Sequence, residues 1–260
     1  MNSIIRILIP FDFGQVAQSA LKFTLNFCAD NDRTEILLCY VANSNNYEAK
    51  REEMDAFISN GSFPGYVAVY GSVIQGEFVD TLLKEQIEFQ ANMMIMGTKG
   101  AKDTSGKALS NSSIMTLEAH CPVLVIPVNY EDFKIEKITL AIGSNKIDDP
   151  SVLSTLLVIA RQYDAKIHVL TAYEEDDESF YLESQNEAIL KYYFEKYYSH
   201  NSSTRSSKIA ESIMEYDKAH GVDMLAIIPR NHAKRSAPSE GSLTKFLTLK
   251  TDIPLLTMNK

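Results

Sequence analysis

The stretch from Met93 to Pro127, MMIMGTKGAKDTSGKALSNSSIMTLEAHCPVLVIP, decides the fold class. It begins with an apolar run over Met93–Met96 and closes with another over Val123–Ile126, and glycines and serines fill the segment between them. Short apolar runs bounded by Gly and Pro are typical of parallel strands that are covered on both faces. The order strand, glycine loop, helix, strand therefore predicts an α/β fold.

The loop after the first of these strands carries residues that suit an anion. Gly97 and Gly100 allow positive φ angles and a close approach of the backbone to a bound group. Ser110–Ser112 stand at the predicted start of a helix, where hydroxyls and N–H groups favour a negative charge. Glycines after strands are also common turn residues, so the loop indicates either a phosphate site or a turn.

Strand and helix signals alternate through the first half of the chain. An apolar run over Ile4–Phe11 ends in Asp12, and an amphipathic stretch over residues 15–30 follows it. Further strands are predicted at 35–41 and 66–70, and further helices at 47–58 and 77–89. Such alternation specifies a parallel, doubly wound sheet.

The second half repeats the first. Adding 132 to Ser110 gives Ser242, and adding 131 to Arg6 gives Lys137. Because the register holds to within one residue from the first strand to the last, we predict two copies of one fold. The 260 residues then divide into domains at 1–130 and 134–260, each close to the commonest domain size.

Composition excludes several classes of function. The net charge of −9 argues against nucleic acid as a partner, because binding to a phosphate backbone needs a basic face. No apolar run approaches the roughly 18 residues of a membrane span, so no membrane association is expected. Cys28, Cys39 and Cys121 are odd in number and lie in apolar runs, which predicts buried, reduced thiols and a cytoplasmic location.

These loops and strands resemble the universal stress protein family. The family pattern is G-x2-G-x9-G-[S/T], to which Gly97, Gly100 and Ser110 correspond, and a CPV-type closing strand follows. Asp12 stands where the family has the aspartate of its V-D-x-S pattern. The chain departs from the pattern at Leu109, which replaces the third glycine and follows Gly100 after eight residues instead of nine. A side chain there would stand where the backbone should lie against phosphate.

The resemblance implies a tandem member of this family with two Rossmann-like (adenine nucleotide alpha hydrolase-like) domains. Each would be a five-stranded parallel sheet flanked by helices, and the last strands would pair in an internal pseudo-dimer, with a homodimer of whole chains also open. The implied role is a stress-response sensor or regulator that binds ATP or another adenine nucleotide, with or without Mg²⁺, in the first domain. The nucleotide-binding residues would be Pro10, Asp12, Val41, Met96, Gly97, Gly100, Ser110, Asn111 and Ser112.

The second domain has a different set of residues at the corresponding positions. Pro229 and His232 replace the two glycines, and Gly143 or Ser144 replaces the aspartate. Proline lacks an N–H donor and cannot reach positive φ, and a histidine would crowd a phosphate. This half is therefore expected to have lost the nucleotide.

An alternative function rests on the same half. A long helix with Tyr192, Tyr193, Tyr197 and Tyr198 is predicted there, preceded by an acidic turn over residues 174–178. These features are typical of a core face and a solvated loop. They also leave open a nucleotide-free, stress-related scaffold with both sites degenerate, which would dock an unknown protein partner.

The histidines show no catalytic order and no metal-binding spacing. His168 is predicted inside a strand, and His200 and His220 are predicted in polar turns. The sequence contains neither a Walker loop nor a dinucleotide-binding glycine motif. The chain is therefore predicted not to be an enzyme, with slow ATP hydrolysis as the most that it would show.

Overall fold

The chain divides into two compact units, Met1–Phe133 and Lys134–Lys260. The structure, a computed structural model, describes residues 5–28, 33–100, 110–131, 133–175, 177, 186–229 and 240–259. No helix in this part of the chain is both long enough and apolar enough to cross a membrane.

The first unit alternates strands and helices throughout. Its strands are β1 (Ile5–Pro10), β2 (Thr34–Ala42), β3 (Val67–Gln75), β4 (Met93–Thr98) and β5 (Val123–Pro127). Its helices are α1 (Gln15–Phe27), α2 (Tyr47–Asn60), α3 (Phe78–Glu88) and α4 (Asn111–Glu118). The central strands are buried on both faces, as the fully buried side chains of Ile7, Leu8 and Ile9 show.

All five strands of this unit are parallel, in the order β3-β2-β1-β4-β5. Ile7 in the middle strand pairs with Ile36 of β2 on one side and with Met93 of β4 on the other. The chain passes from β1 to β2 and β3 on one side and then crosses to β4 on the other. In open parallel sheets, this reversal of strand order creates a crevice at the carboxyl ends of the two strands concerned, here β1 and β4.

The second unit has the same order of elements. Its strands are β6 (Lys137–Ile142), β7 (Lys166–Tyr173), β8 (Tyr198–Arg205), β9 (Met224–Ile227) and β10 (Leu255–Thr257), parallel in the order β8-β7-β6-β9-β10. Its helices are α5 (Ser154–Tyr163), α6 (Glu187–Phe194), α7 (Ile209–His220) and α8 (Glu240–Lys250), with short 3₁₀ helices at Pro150–Leu153 and Glu195–Tyr197. The predicted fold class, two Rossmann-like units with five-stranded parallel sheets, is confirmed.

The prediction of a long tyrosine-rich helix in the second unit was wrong. Helix α6 ends at Phe194, and Tyr198 already belongs to β8. Glu195 adopts a φ of 49°, a conformation that breaks the helical path directly after α6. The tyrosines consequently have unlike environments, because Tyr197 is buried whereas Tyr192 is 86% exposed.

The cysteines are buried thiols, as predicted. Cys28, Cys39 and Cys121 are all free and buried. Burial raises the pKa of Cys28 to about 11 and the pKa values of Cys39 and Cys121 to about 12. At neutral pH these thiols are protonated, so they pack as small apolar groups and are poor nucleophiles.

Candidate functional site

The predicted site residues of the first unit lie at the carboxyl edge of its sheet. The loop after β1 contains Asp12, the loop after β4 contains Gly100, and Ser110 precedes α4. Because β1 pairs directly with β4, these loops leave the sheet side by side. The sequence therefore placed the candidate site at the crevice where the strand order reverses.

Asp12 is exposed and orders the turn that leads into α1. Its Oδ1 accepts a hydrogen bond of 2.9 Å from the backbone N–H of Gly14, the residue that caps α1. Among the described residues, no group donates to its Oδ2. The carboxylate can therefore hold the turn with one oxygen and accept a hydrogen bond from a ligand with the other.

A cluster of aromatic side chains and one cation lies beside Asp12, and sequence reasoning missed it. Phe13 adopts a φ of 62°, and its ring packs 5.3 Å from that of Phe11 and 5.7 Å from that of Tyr40. The Lys50 ammonium lies 5.1 Å from the Phe13 ring centre. The only sequence signal was the pair of phenylalanines around Asp12, in a turn where small polar residues are usual.

Three other predicted residues belong to the strands themselves. Pro10 ends β1 and Val41 lies near the end of β2, and both are half-buried. Met96 is only 4% exposed and pairs with Val125 of β5. Its side chain belongs to the core, so only its backbone is available to a ligand.

Gly97 is explained by packing against α1. Its φ is not positive, unlike that of Gly100, which is 69°. A Cβ at Gly97 would stand 2.4 Å from the backbone oxygen of Val16 and 2.5 Å from its Cγ1. The expectation of positive φ is therefore confirmed for Gly100 and wrong for Gly97, which is needed because α1 crosses β4 closely.

The N–H group of Gly100 already has a partner within its own loop. It donates to Oγ1 of Thr98 over 3.2 Å, and Thr98 is buried. Lys99, between them, is exposed. The loop therefore combines a left-handed glycine, one N–H donor held by a weak bond and one adjacent cation.

Ser110 caps helix α4. Its Oγ accepts a hydrogen bond from the backbone N–H of Ser113 over 3.1 Å and lies 3.0 Å from the Ser112 hydroxyl. Ser112 is 5% exposed, whereas Asn111 is exposed. A ligand at this helix start would meet Asn111 and backbone N–H groups more readily than the hydroxyl of Ser112. Leu109, predicted to obstruct the phosphate, lies outside the described residues.

Two surface hollows, of about 440 and 330 Å³, lie among the described residues toward the amino ends of β1, β2 and β3. The larger is lined by Arg6, Glu35 and Gln90, whose polar groups bond one another. The Arg6 guanidinium donates to Glu35 and to Gln90, each over 2.9 Å. Because these groups satisfy each other, they offer little to a ligand, and the carboxyl edge is the better candidate site.

The corresponding loop of the second unit is held by a buried asparagine. Asn186 is 1% exposed; its Oδ1 accepts from the N–H of Ile147 over 2.8 Å, and its Nδ2 donates to the carbonyl of Asn145 over 2.9 Å. Pro229 follows β9, and His232 lies outside the described residues. The loop after β6 is thus tied down by side-chain bonds and has no carboxylate in the place of Asp12.

Three histidines that the sequence left unconnected come together in the second unit. Thr139, His168 and His200 pair across β6, β7 and β8. The ring centres of His168 and His200 are 4.2 Å apart, and His220 lies 6.4 Å from His168. The predicted turn positions of His200 and His220 were wrong, since His200 lies in β8 and His220 ends α7.

Helix α7 covers this histidine layer with polar groups. The Tyr216 hydroxyl lies 2.9 Å from Nε2 of His200, and Asp217 is buried. Within the part of the chain that the structure describes, Nδ1 of His168 has no hydrogen-bond partner, and the carboxylate of Asp217 has Thr139 nearby but no hydrogen bond of good geometry. Among the residues that the structure describes, no group of three or more His, Cys, Asp or Glu side chains is arranged to hold a metal ion.

Burial shifts the acid–base properties of this layer in opposite directions. It raises the pKa of Asp217 to about 7, while Thr139 and His220 nearby favour the charged form. It lowers the pKa of His168 to about 4, helped by the positive charges of His200, His220 and Lys137. Both groups are therefore largely uncharged in mildly acidic solution.

Comparison with known proteins relates the first unit to a family. Residues 4–127 match the model of the universal stress protein family, which covers the whole sheet of the first unit. No curated protein matches the sequence.

Solved structures match both units together. A universal stress protein from Archaeoglobus fulgidus is 15% identical with a TM-score of 0.71, and the match covers 98% of each chain. A functionally unknown protein from Pseudomonas aeruginosa is 16% identical with a TM-score of 0.66, covering 99% of this chain and 93% of that one. The cytoplasmic domain of a prokaryotic cation chloride cotransporter is 10% identical with a TM-score of 0.55, covering 99% and 96%.

At these identities the structural likeness shows the fold alone, and the cotransporter domain illustrates that this fold serves proteins of unlike function. The match to the family model is confined to residues 4–127, in the first unit. The first unit therefore matches the universal stress protein family over its whole sheet.

Proposed function

We propose that the first unit binds one adenine nucleotide, ATP or a close relative, and that the chain acts through this binding as a stress-response sensor or regulator. The observation that carries the proposal is the meeting of three features at the crevice between β1 and β4. These are the exposed carboxylate of Asp12, the left-handed backbone of Gly100 and the start of α4 capped by Ser110. Each feature suits a different part of a nucleotide.

Asp12 would hold the base or ribose end. Its Oδ1 is committed to the N–H of Gly14, which leaves Oδ2 to accept from a ribose hydroxyl or an exocyclic amine. Pro10 and Val41, half-buried at the ends of their strands, would supply apolar surface. Met96 would contribute through its backbone.

The phosphates would lie between Gly100 and the start of α4. The N–H of Gly100 would exchange its bond to Thr98 for one to a phosphate oxygen. The first N–H groups of α4, at Asn111 and Ser112, would add donors and the positive end of the helix dipole. Lys99 or Mg²⁺ would offset the phosphate charge in a chain whose net charge is −9.

The nucleotide would act as a signal in this account. Binding would stabilise one arrangement of the loops after β1 and β4 and so change the affinity for a protein partner in the cytoplasm. We expect at most slow ATP hydrolysis, which a phosphate-release assay over several hours would measure. The internal pseudo-dimer through the last strands and the homodimer of whole chains stay predictions from the sequence.

Isothermal titration of the whole chain with ATP, ADP and AMP, with and without Mg²⁺, tests the proposal. Saturable binding of one nucleotide per chain is expected, because the second unit has Pro229 after β9 and has Gly143 or Ser144 in the place of Asp12. Two nucleotides per chain would contradict the loss of the second site. The lack of binding at millimolar ligand would contradict the proposal itself.

The alternative, a nucleotide-free scaffold that docks a protein, is favoured by one set of observations. Gly97 is explained by its contact with Val16, and the polar groups of Gly100 and Ser110 already bond within the chain. The site could thus be a stable turn without a ligand. This function predicts no nucleotide binding, together with crosslinks from the second unit to one partner protein in cells.

A further inference from the structure

The rings of Phe13 and Tyr40 form an aromatic platform at the carboxyl edge of β1 and β2. Their centres are 5.7 Å apart, and their planes are tilted by 34°. Both residues are half-buried, so each keeps some contact with solvent. Phe11 and Phe57 pack against the platform, with Phe57 centred 4.9 Å from Phe11 and 6.0 Å from Phe13.

The backbone of Phe13 is held in a conformation that bulky residues rarely adopt. Its φ of 62° lies in the left-handed region, and Gly14, which would take this conformation more easily, is the next residue. A non-glycine residue persists there only when its surroundings fix it. Here the ring contacts with Phe11, Tyr40 and Phe57 do so.

The ammonium group of Lys50, from α2, lies over this platform. Its Nζ lies 5.1 Å from the Phe13 ring centre and 5.3 Å from that of Tyr40, within the range of cation–π attraction. The same Nζ bonds Oε2 of Glu53 over 2.6 Å. Asp12 acts on it as well, since the negative charges of Glu53 and Asp12 both raise the pKa of Lys50.

We propose that Phe13 and Tyr40 are a stacking platform for the base of the bound nucleotide and that Lys50 is a latch that occupies the platform in the unliganded protein. The inference rests on the proposed nucleotide binding and deepens it by naming the residues that meet the base. A flat aromatic ligand and the Lys50 ammonium are alternatives on the same ring faces. Lys50 must therefore move aside when the base stacks.

The chemistry of the cluster selects a base over other ligands. Aromatic rings stack on bases with little regard to sequence, and adjacent Asp12 adds an acceptor for a hydroxyl or amine. A phosphate is poorly suited to this spot, because the Lys50 ammonium is already bonded to Glu53 and also lies within the electrostatic reach of Asp12. The platform therefore belongs to the nucleoside end of the ligand.

Titration with adenosine, which has no phosphate, tests the latch. Lys50→Gln should bind adenosine roughly twofold to thirtyfold more tightly than the natural chain, since a cation–π contact no longer competes. Lys84→Gln removes an exposed lysine from α3 and is the matched control, expected to leave the affinity unchanged. Weaker adenosine binding by Lys50→Gln would overturn the latch.

Titration of Phe13 variants tests the platform. Phe13→Gly should weaken adenosine binding roughly tenfold, as expected for loss of one stacking partner, and leave inorganic triphosphate binding within twofold. Glycine suits the positive φ, so this variant keeps the turn, and a thermal melt checks that it folds. Phe13→Tyr, which keeps a ring, should retain the affinity.

The outcomes separate the platform from the proposed function. If the natural chain binds ATP, and Phe13→Gly binds adenosine and ATP as tightly as the natural chain does, the platform is wrong and nucleotide binding stands. If neither the natural chain nor Lys50→Gln binds adenosine or ATP, both are wrong.

Discussion

Gly97 of β4 and Val16 of α1 are in van der Waals contact through the glycine backbone, and a Cβ on Gly97 would stand 2.4 Å from the carbonyl oxygen of Val16. A residue that the family pattern assigns to the ligand thus has a structural reason to be glycine. The contact fixes α1 against β4 and therefore fixes the loop after β1, where Asp12 lies.

Gly97→Ala should destabilise the first unit by about 1–3 kcal/mol, because the added methyl meets a backbone atom that cannot rotate away. Gly65→Ala is the matched control, since nothing lies within 4 Å of a Cβ there. Urea denaturation should show a lower midpoint for Gly97→Ala only. Equal midpoints would mean that α1 and β4 are further apart than described.

Ser110 offers a way to separate folding from binding. Ser110→Ala removes the cap of α4 and should cost about 1 kcal/mol of stability. Ser110→Asp keeps a good cap but places a negative charge where the phosphates are proposed to lie, so stability should be retained and ATP affinity should fall at least tenfold. Unchanged ATP affinity in Ser110→Asp would place the phosphates elsewhere.

Leu109 stands at the third glycine of the family pattern, outside the described residues. Leu109→Gly should strengthen ATP binding, because the backbone could then approach the phosphate. Adenosine affinity should stay the same and serves as the internal control. Should the variant bind ATP no better than the natural chain, the alignment of this loop with the family pattern would be wrong.

The histidine layer of the second unit predicts two opposite pH dependences. The pKa of Asp217, about 7 in the folded chain, lies above its ordinary value of 3.8, so its contribution to stability is complete below pH 3.8 and is lost as the pH rises through 7. Asp217→Asn should therefore gain stability over the natural chain between pH 5 and 8, on the order of 2–4 kcal/mol. Denaturation at several pH values measures this.

The contribution of His168 to stability changes with pH in the opposite direction. Its pKa of about 4 in the folded chain lies below the ordinary 6.5, so stability is complete above pH 6.5 and falls as the pH drops towards 4. His168→Gln should lose this acid sensitivity, on the order of 1–3 kcal/mol over that range. In the natural chain the two groups largely offset each other between pH 6.5 and 4. If the stabilities of Asp217→Asn and His168→Gln changed with pH in the same way, these opposite contributions of Asp217 and His168 would be contradicted.

The fold could be predicted from the sequence because it rests on two periodic patterns, the alternation of strand and helix signals and the internal repeat. Apolar runs alternate with amphipathic stretches, and the offset of 131 or 132 residues carries each strand of the first unit onto one of the second. The helix predicted around Tyr192–Tyr198 failed because the spacing of tyrosines does not report the positive φ angle at Glu195, which ends α6. Backbone breaks of this kind leave no trace in a pattern of hydrophobicity.

The site was predictable only in part. The positions of Asp12, Gly100 and Ser110 follow from motif and topology, because strand ends and loops are local features. The contact between Gly97 and Val16, and that between Lys50 and Phe13, depend on how helices cross strands. The histidine layer joins residues from three elements, so it too depends on how these elements pack. No spacing along the chain predicts it.

The first unit is proposed to hold one nucleotide, with Asp12 in contact with it. Isothermal titration of ATP into the natural chain, Asp12→Ala and Asp12→Asn tests this most directly, with Asp55→Ala, an exposed carboxylate on α2, as the control. Asp12→Asn keeps an oxygen that can accept from Gly14, so the turn should survive while the charge is lost.

We expect one ATP per chain, unchanged binding in Asp55→Ala, weaker binding in Asp12→Asn and none in Asp12→Ala. If Asp12→Ala binds ATP as well as the natural chain does, the nucleotide does not use this edge of the sheet. If no protein in the series binds ATP, the first unit is not a nucleotide sensor, and its function lies in its surfaces.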